Sequence, residues 1–308
     1  MKRLSSTLES FRDKGLIRQV PRRFNIMNQF IFLNGKIIPD TDANISSGDR
    51  GFLYGDGIYE TLRSYNGTPF KLSEHLDRMR YSAKQLKISF GYTNKDISEW
   101  INKLIEKNCS QDAYIRITLS RGAGGGRLQM DEGIEPTILV QVKPLTPYDR
   151  RLYEEGMSLV VSNYRRSTSC PISCHKTTNL LKSIMMKEEA KKRSADEAII
   201  VNTEEYVTEC VVSNIFFVNN GKVVTPSLNT NILPGITRST VLDICNESSI
   251  PAGEERFKVE TLLNADEVFI TNSLMEIMPV SKIDDTKIGK VIPGKVTQQL
   301  MSVYKNFV

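Results

Sequence analysis

The chain has 308 residues, with 41 Lys and Arg against 36 Asp and Glu for a formal charge of +5, and is 40% hydrophobic and 25% charged. That balance excludes disorder, collagen and coiled coil, and the length supports two domains or one large α/β unit. No apolar run reaches the roughly 18 residues that a membrane-spanning helix needs, and so modest a charge does not by itself imply nucleic acid.

Most of the positive excess sits at the front. Residues 1–28 carry Lys2, Arg3, Arg12, Lys14, Arg18, Arg22 and Arg23 against Glu9 and Asp13. Without an apolar face or a secretory core, this stretch reads as a basic N-terminal extension, or as sequence ahead of a true start at Met27. The five cysteines are Cys109, Cys170, Cys174, Cys210 and Cys245. Cys170 and Cys174 are four apart, but no second pair and no His cluster completes a metal site. No metal is expected, and a reduced cytoplasmic location is.

Phe30 to Ile38 reads as a hairpin turning at Asn34-Gly35. A strand over Ile58–Tyr65 follows, turned by Asn66-Gly67. From Ser73, a plausible N-cap, the spacing of Leu76, Met79, Ala83 and Leu86 predicts a helix. A second helix is expected near Asn94–Lys107, then strands over Ala113–Ser120 and Thr137–Lys143, separated by the glycine-rich stretch Arg121–Arg127. Pro144 to Tyr148 is the best linker. The second half mixes strands (Ser158–Val161, Ala198–Asn202, Ile215–Val218, Glu267–Thr271) with helices near Thr178–Arg193, Gly235–Asn246 and Pro293–Tyr304. The fold class expected is α+β: a basic extension 1–28, a small domain 29–143, a linker 144–150 and a larger domain 151–308 with mainly antiparallel strands. A site between the two domains is expected.

Leu233-Pro-Gly-Ile-Thr-Arg238 is the strongest local signal of chemistry. Gly235 allows close backbone approach, and the amides of Ile236 and Thr237 would open a helix, a natural seat for phosphate. An ordinary Pro-Gly helix start has the same sequence. Arg78 reads equally as a solvated charge or a phosphate ligand. Lys176, in Cys174-His-Lys-Thr-Thr-Asn179, lies at an element boundary, unlike the helical lysines that follow it. A lysine becomes a nucleophile when burial or nearby cations keep its amine partly neutral. Glu209 precedes Ser213-Asn214 and is either a surface charge or the partner of a basic ring nitrogen. Arg121–Arg127 joins two strands rather than a strand and a helix, so it is no nucleotide fingerprint. It suits capture of a substrate carboxylate by Arg121 or Arg127, or is simply an exposed loop.

Together these motifs resemble the class IV (fold type IV) pyridoxal-phosphate enzymes, which include branched-chain aminotransferases, D-amino-acid aminotransferases and aminodeoxychorismate lyase. The resemblance runs from about Phe30 to the C-terminus. It rests on Asp49–Arg63, Glu74–Arg78, His175–Asn179, Asp196–Ala198, Val207–Phe216, Leu233–Arg238 and Thr271–Pro279, in order and spacing. It implies that Lys176 is the catalytic Schiff-base lysine and proton shuttle, and that Glu209 pairs with the pyridine nitrogen. It further implies that Arg78, Ile236, Thr237 and Ser273 hold the cofactor phosphate, with Ser213, Asn214 and Gly235 also in the cofactor site. Tyr59, Leu274 and Arg127 fall on the substrate side, Arg127 matching an arginine that reaches the carboxylate from a partner subunit.

The departures are specific. Gln129 stands where D-amino-acid aminotransferases carry histidine, and Leu274-Met275 where the branched-chain enzymes usually have small residues. The glycine-rich stretch, Glu209-Cys210 and Asn272–Met275 look somewhat like the lyase subgroup, whereas Glu276-Ile277 resembles the transaminases. The expected activity is transamination from an amino acid to a 2-oxo acid such as 2-oxoglutarate, in a homodimer, with pyruvate elimination by a lyase as the alternative.

Overall fold

The computed structural model describes residues 29–108, 110–130 and 133–308, so the basic segment 1–28 lies outside the described residues. The first half contains β1 (Phe30–Leu33), β2 (Lys36–Pro39), α1 (Arg50–Tyr54), β3 (Gly57–Tyr65), β4 (Thr68–Pro69), α2 (Leu72–Gln85), α3 (Asn94–Lys107), β5 (Ala113–Ser120) and β6 (Thr137–Pro144). Its strands form one six-stranded antiparallel sheet in the order β2-β1-β6-β5-β3-β4.

Alternation decides which face is covered. Ile115, Ile117 and Leu119 of β5 point one way with Ile58 and Leu62 of β3, and α2 and α3 lay Leu76, Met79, Ile97 and Ile101 over them. The opposite face of β3, Tyr59, Thr61, Arg63 and Tyr65, is half-exposed and turned toward the rest of the molecule. A capping box between Thr93 and Asp96 starts α3. Helix α2 begins earlier than its sequence signals. Lys71, at φ +53°, caps it, and Ser73 lies inside its first turn. Lys71 Nζ pairs with Glu74 at 3.1 Å, which holds that turn.

The second half contains α4 (Arg150–Glu155), β7 (Met157–Arg166), α5 (Leu181–Lys192), β8 (Glu197–Asn202), β9 (Val207–Cys210), β10 (Asn214–Asn219), β11 (Lys222–Pro226), α6 (Ile236–Glu247), β12 (Ala252–Glu255), α7 (Val259–Leu263), β13 (Glu267–Asn272), β14 (Glu276–Ile283), β15 (Thr286–Lys287) and α8 (Lys295–Tyr304). Its nine-stranded sheet runs β12-β11-β10-β13-β14-β7-β8-β9, with β15 beside β14. Most neighbours are antiparallel, but β14/β7, β7/β8 and β11/β12 are parallel. Strands β8 and β10 are buried on both faces: Ile199 and Ile215 pack into one core with Ile270 and Met278, while on the other side Ala198 meets Ala190 of α5 and Phe216 meets Val241, Ile244 and Leu300 of α6 and α8. Among the described residues, no helix is long and apolar enough to cross a membrane.

Candidate active site

Where the half-exposed face of β3 meets the second sheet, the segment before α5 joins on like a short extra strand. Tyr59 N donates to Lys176 O at 2.9 Å, Thr178 N to Gly57 O at 2.9 Å, and Thr178 Oγ1 to Gly55 O at 2.8 Å. These bonds hold Thr177 and Thr178 extended, so α5 starts only at Leu181. His175 adds a bond between Nδ1 and Ser82 Oγ of α2 at 3.0 Å. Lys176 is thus fixed on both sides, and its Nζ lies 4.5 Å from the centroid of the Tyr59 ring.

The same ring carries a second cation. Arg116, on β5, is the diagonal neighbour of Tyr59 across the β3/β5 ladder, and its guanidinium sits 3.8 Å from the ring centroid. Its Nε donates to Thr118 Oγ1 at 3.2 Å, and among the described residues no partner engages its Nη groups. Sequence reasoning missed Arg116. The available signal was its strand parity, two residues before Thr118, which faces Tyr59.

Glu209 stands on β9 with its carboxylate gripped from three directions. Arg166, at the end of β7, donates to Oε1 at 2.6 Å, while Asn214 Nδ2 and Leu233 N donate to Oε2 at 3.2 and 3.1 Å. Asn214 Nδ2 also reaches Leu233 O at 3.0 Å, tying the glutamate to the turn that opens α6. Ser213, beside it, is buried and accepts Cys210 N through its carbonyl at 2.8 Å.

Gly235 is the N-cap of α6, and the helix has no side-chain cap there. The first-turn amides, Ile236 and Thr237 among them, therefore have no intrahelical acceptor. A Cβ on Gly235 would lie 1.9 Å from Asn214 Oδ1, so only glycine leaves the asparagine in place. Arg78 completes this corner, donating from Nη1 to Pro234 O at 2.8 Å and from Nε and Nη2 to Glu60 at 2.8 and 2.6 Å. Buried Glu60 also contacts His75 Nδ1 at 2.7 Å. Burial alone would raise the Glu60 carboxyl, but the charge of Arg78 and the bonds from His75 and Arg78 outweigh it and hold it at about 2. His75 in turn lies 3.4 Å from Ser273 Oγ through Nε2. Glu60 and His75 were not singled out from sequence.

Ser273 and Leu274 form the turn between β13 and β14. Asn272 Oδ1 accepts the amides of Leu274 and Met275, each at 2.9 Å. Arg63 Nη1 donates to Leu274 O at 3.4 Å and to Glu276 Oε1 at 2.8 Å, and the Tyr65 hydroxyl reaches the same oxygen at 2.7 Å. Glu276 is left-handed, at φ +61°. The first sheet therefore grips this turn directly.

One expectation needs correcting. Arg121 is 7% exposed and not aimed at the cleft. Its Nε and Nη2 hold Asp56 at 2.8 and 2.9 Å, and its Nη1 and Nη2 donate to Lys87 O and Leu86 O. Four of its five donors are committed inside the first unit, which leaves no fork for a substrate carboxylate. Nor is the glycine-rich stretch loose. The buried guanidinium of Arg50 donates to the carbonyls of Arg127, Leu128 and Gln129, so the backbone is clamped while the Arg127 side chain stays exposed.

The contacts thus run in one circuit, from Lys176 through Tyr59 and Glu60 to Arg78, the α6 turn, Asn214 and Glu209. Comparison with known proteins shows which family the chain belongs to. Residues 57–283 match the family model for class IV amino-transferases. The chain belongs to the class IV aminotransferases. It is 36% identical over 277 residues to a putative branched-chain-amino-acid aminotransferase of Methanocaldococcus jannaschii, covering 90% of this chain and 95% of that protein. It is 32% identical over 276 residues to a D-alanine aminotransferase of Bacillus licheniformis, covering 90% and 96%. The crystal structure of the branched-chain amino acid aminotransferase of Escherichia coli superposes with a TM-score of 0.87 at 27% identity, over 91% of this chain and 94% of that one.

A class IV aminotransferase is a pyridoxal-phosphate-dependent transaminase, and this corner fits such a group. The turn at Gly235 offers unopposed helix amides and a flanking guanidinium, Arg78, suited to a phosphate.

Proposed function

We propose that this class IV aminotransferase moves the amino group of an amino acid to a 2-oxo acid such as 2-oxoglutarate in two half-reactions, with Lys176 as the amine that holds the cofactor aldehyde and carries the proton. Pyridoxal phosphate, when bound, supplies an aldehyde for amine exchange and a ring that takes up the electrons released as the substrate Cα–H bond breaks.

In this reading the chain's own groups do the rest. Arg78, Ile236, Thr237 and Ser273 hold the phosphate, and Gly235, Ser213 and Asn214 shape the cradle. Glu209 holds a proton on the ring nitrogen, and Arg166 and Asn214 fix the carboxylate in place. Lys176 would be the group that accepts the proton released from the substrate α-carbon and carries it across the cofactor face. Arg116 binds the substrate carboxylate through its uncommitted Nη groups, in the role expected of Arg121. Tyr59 and Leu274 line the pocket. Arg127, exposed and with its backbone held by Arg50, serves the site of a second subunit in this reading. The exposed apolar side chains Phe52, Leu128, Leu181 and Ile184 support a homodimer.

The observation that carries the proposal is the shared ring of Tyr59, which brings an amine at 4.5 Å and a guanidinium at 3.8 Å to one cleft. Branched-chain and D-alanine aminotransferases both stand among the relatives, so the donor is set by experiment. The purified protein is given a panel of L- and D-amino acids with 2-oxoglutarate, and glutamate formation is followed. Transfer from a subset of one stereochemical series supports the reading. Release of 4-aminobenzoate from aminodeoxychorismate, with no amino transfer from any donor, overturns it in favour of the lyase.

A further inference from the structure

Glu60 and Arg78 form a complete charge pair, yet the corner also holds His75 against Glu60 and Ser273 against His75. The ionised Glu60 carboxylate only accepts, so His75 Nδ1 carries a hydrogen. A neutral His75 then presents a bare Nε2. It can only accept, so the Ser273 hydroxyl hydrogen points into the protein, away from any anion. A protonated His75 donates from Nε2 instead, and the Ser273 hydrogen is released to face the seat.

We infer that His75 is a positioning residue that couples uptake of one proton from solvent to binding of a phosphate-type dianion at the Arg78–Thr237 seat, by setting which way the Ser273 hydroxyl points. This rests on the phosphate seat proposed above and adds to it the protonation state in which the seat is complete. The charged groups facing His75 are Glu60 on β3, Arg78 and Glu74 on its own helix, and Lys176 from the segment before α5. Without an anion, burial lowers the imidazole below its ordinary value; Glu60 opposes this, and Arg78 and Lys176 add to it. An added dianion favours the imidazolium, and by reciprocity protonation tightens the anion by the same factor.

The chain has only two histidines, His75 and His175, which makes the test direct. The full-length, cofactor-free protein is labelled at histidine 13Cε1, and a His175→Asn variant assigns the two signals. Each imidazole is titrated with and without saturating sulfate, which stays dianionic throughout, so the titration observed belongs to the protein. We expect sulfate to raise the His75 midpoint by about one pH unit, equivalent to about tenfold tighter sulfate binding when His75 is protonated. Ser273→Ala should cut that shift to less than half, and the His175 midpoint should stay put. Sulfate that competes with pyridoxal phosphate yet leaves His75 unmoved overturns the inference alone, as does a full shift in Ser273→Ala. Failure of sulfate to compete removes the phosphate seat itself, and the inference with it.

Discussion

Arg166 donates to Glu209 at 2.6 Å, from the end of one strand to the carboxylate on another two places away in the sheet. The pair is nearly buried, with side-chain exposures of 14% and 10%. The guanidinium thus occupies one oxygen of the carboxylate, and Asn214 and the Leu233 amide share the other. A charge held so tightly is preorganised, and in the proposed function it is the partner of the ring nitrogen.

Glu209→Gln removes that charge and keeps the shape. Turnover is expected to fall about 10²–10³-fold, in the range seen when one preorganised electrostatic partner is lost. Arg166→Gln should cost less, because Asn214 and Leu233 still hold the carboxylate. In the double variant the losses should not add, since both act through one group. Single-turnover kinetics of the amino-acid half-reaction measure all three, and a larger loss in Arg166→Gln than in Glu209→Gln contradicts this ordering.

Two arginines on the same strand and loop should separate cleanly. Arg116→Ala is expected to raise the substrate KM strongly while the melting temperature changes little, because its Nη groups are uncommitted. Arg121→Ala should do the reverse. It strips a buried guanidinium from Asp56, whose carboxyl would be raised by burial but is held below its ordinary value by the bonds from Arg121 and Arg50. Because Arg50 still pairs with Asp56, that loss is worth about 1–3 kcal/mol of stability. Thermal unfolding and steady-state kinetics on the two variants make the comparison.

Gly235→Ala places a methyl group 1.9 Å from Asn214 Oδ1. The asparagine must move, and it cannot do so without loosening Glu209 and the α6 turn together. The expected cost is about 1–3 kcal/mol, as for overpacking elsewhere, felt as weaker retention of pyridoxal phosphate. Titration of the cofactor-free variant reads it out.

Acid stability follows from Glu60. Its folded value of about 2 lies below its ordinary 4.5. A depressed carboxyl contributes its full stabilisation above the unfolded value and loses it as pH falls through the folded one. The contribution is about 3 kcal/mol at neutral pH and fades between pH 4.5 and 2. Urea unfolding of wild type and Glu60→Gln at pH 6 and pH 3 should show the gap between them narrowing with acid. A gap that stays constant means Glu60 does not carry the depressed proton affinity.

What the sequence made legible was local. Lys176, Glu209 and the Leu233–Arg238 turn each sit in a short contiguous motif that can be picked out without knowing the fold, although their partners in space come from elsewhere in the chain. The hairpin at Asn34-Gly35 and the apolar faces of α2, α3 and β5 were readable for the same reason, since period and turn chemistry are short-range. The cap of α2 was a local miss, Lys71 standing where Ser73 was expected; the misses in the site are long-range. Arg121 looked free in a glycine-rich stretch, but Asp56, 65 residues earlier, claims it. Arg116 looked like an ordinary strand residue until β3/β5 register set it on Tyr59. Glu60 and His75 acquire a role only when β3 and α2 bring them against Arg78 and the turn at Ser273. Strand β14 was missed because its first residue, Glu276, lies in a left-handed turn held by Arg63 and Tyr65 from the other sheet.

The most direct test is chemical. The protein is saturated with pyridoxal phosphate, reduced with borohydride, digested and mapped by mass. The account predicts one peptide carrying the reduced pyridoxyl group at Lys176, and a Lys176→Ala protein that stays folded, labels nowhere and transfers no amino group. A label at any other lysine, or substantial transamination without Lys176, contradicts it.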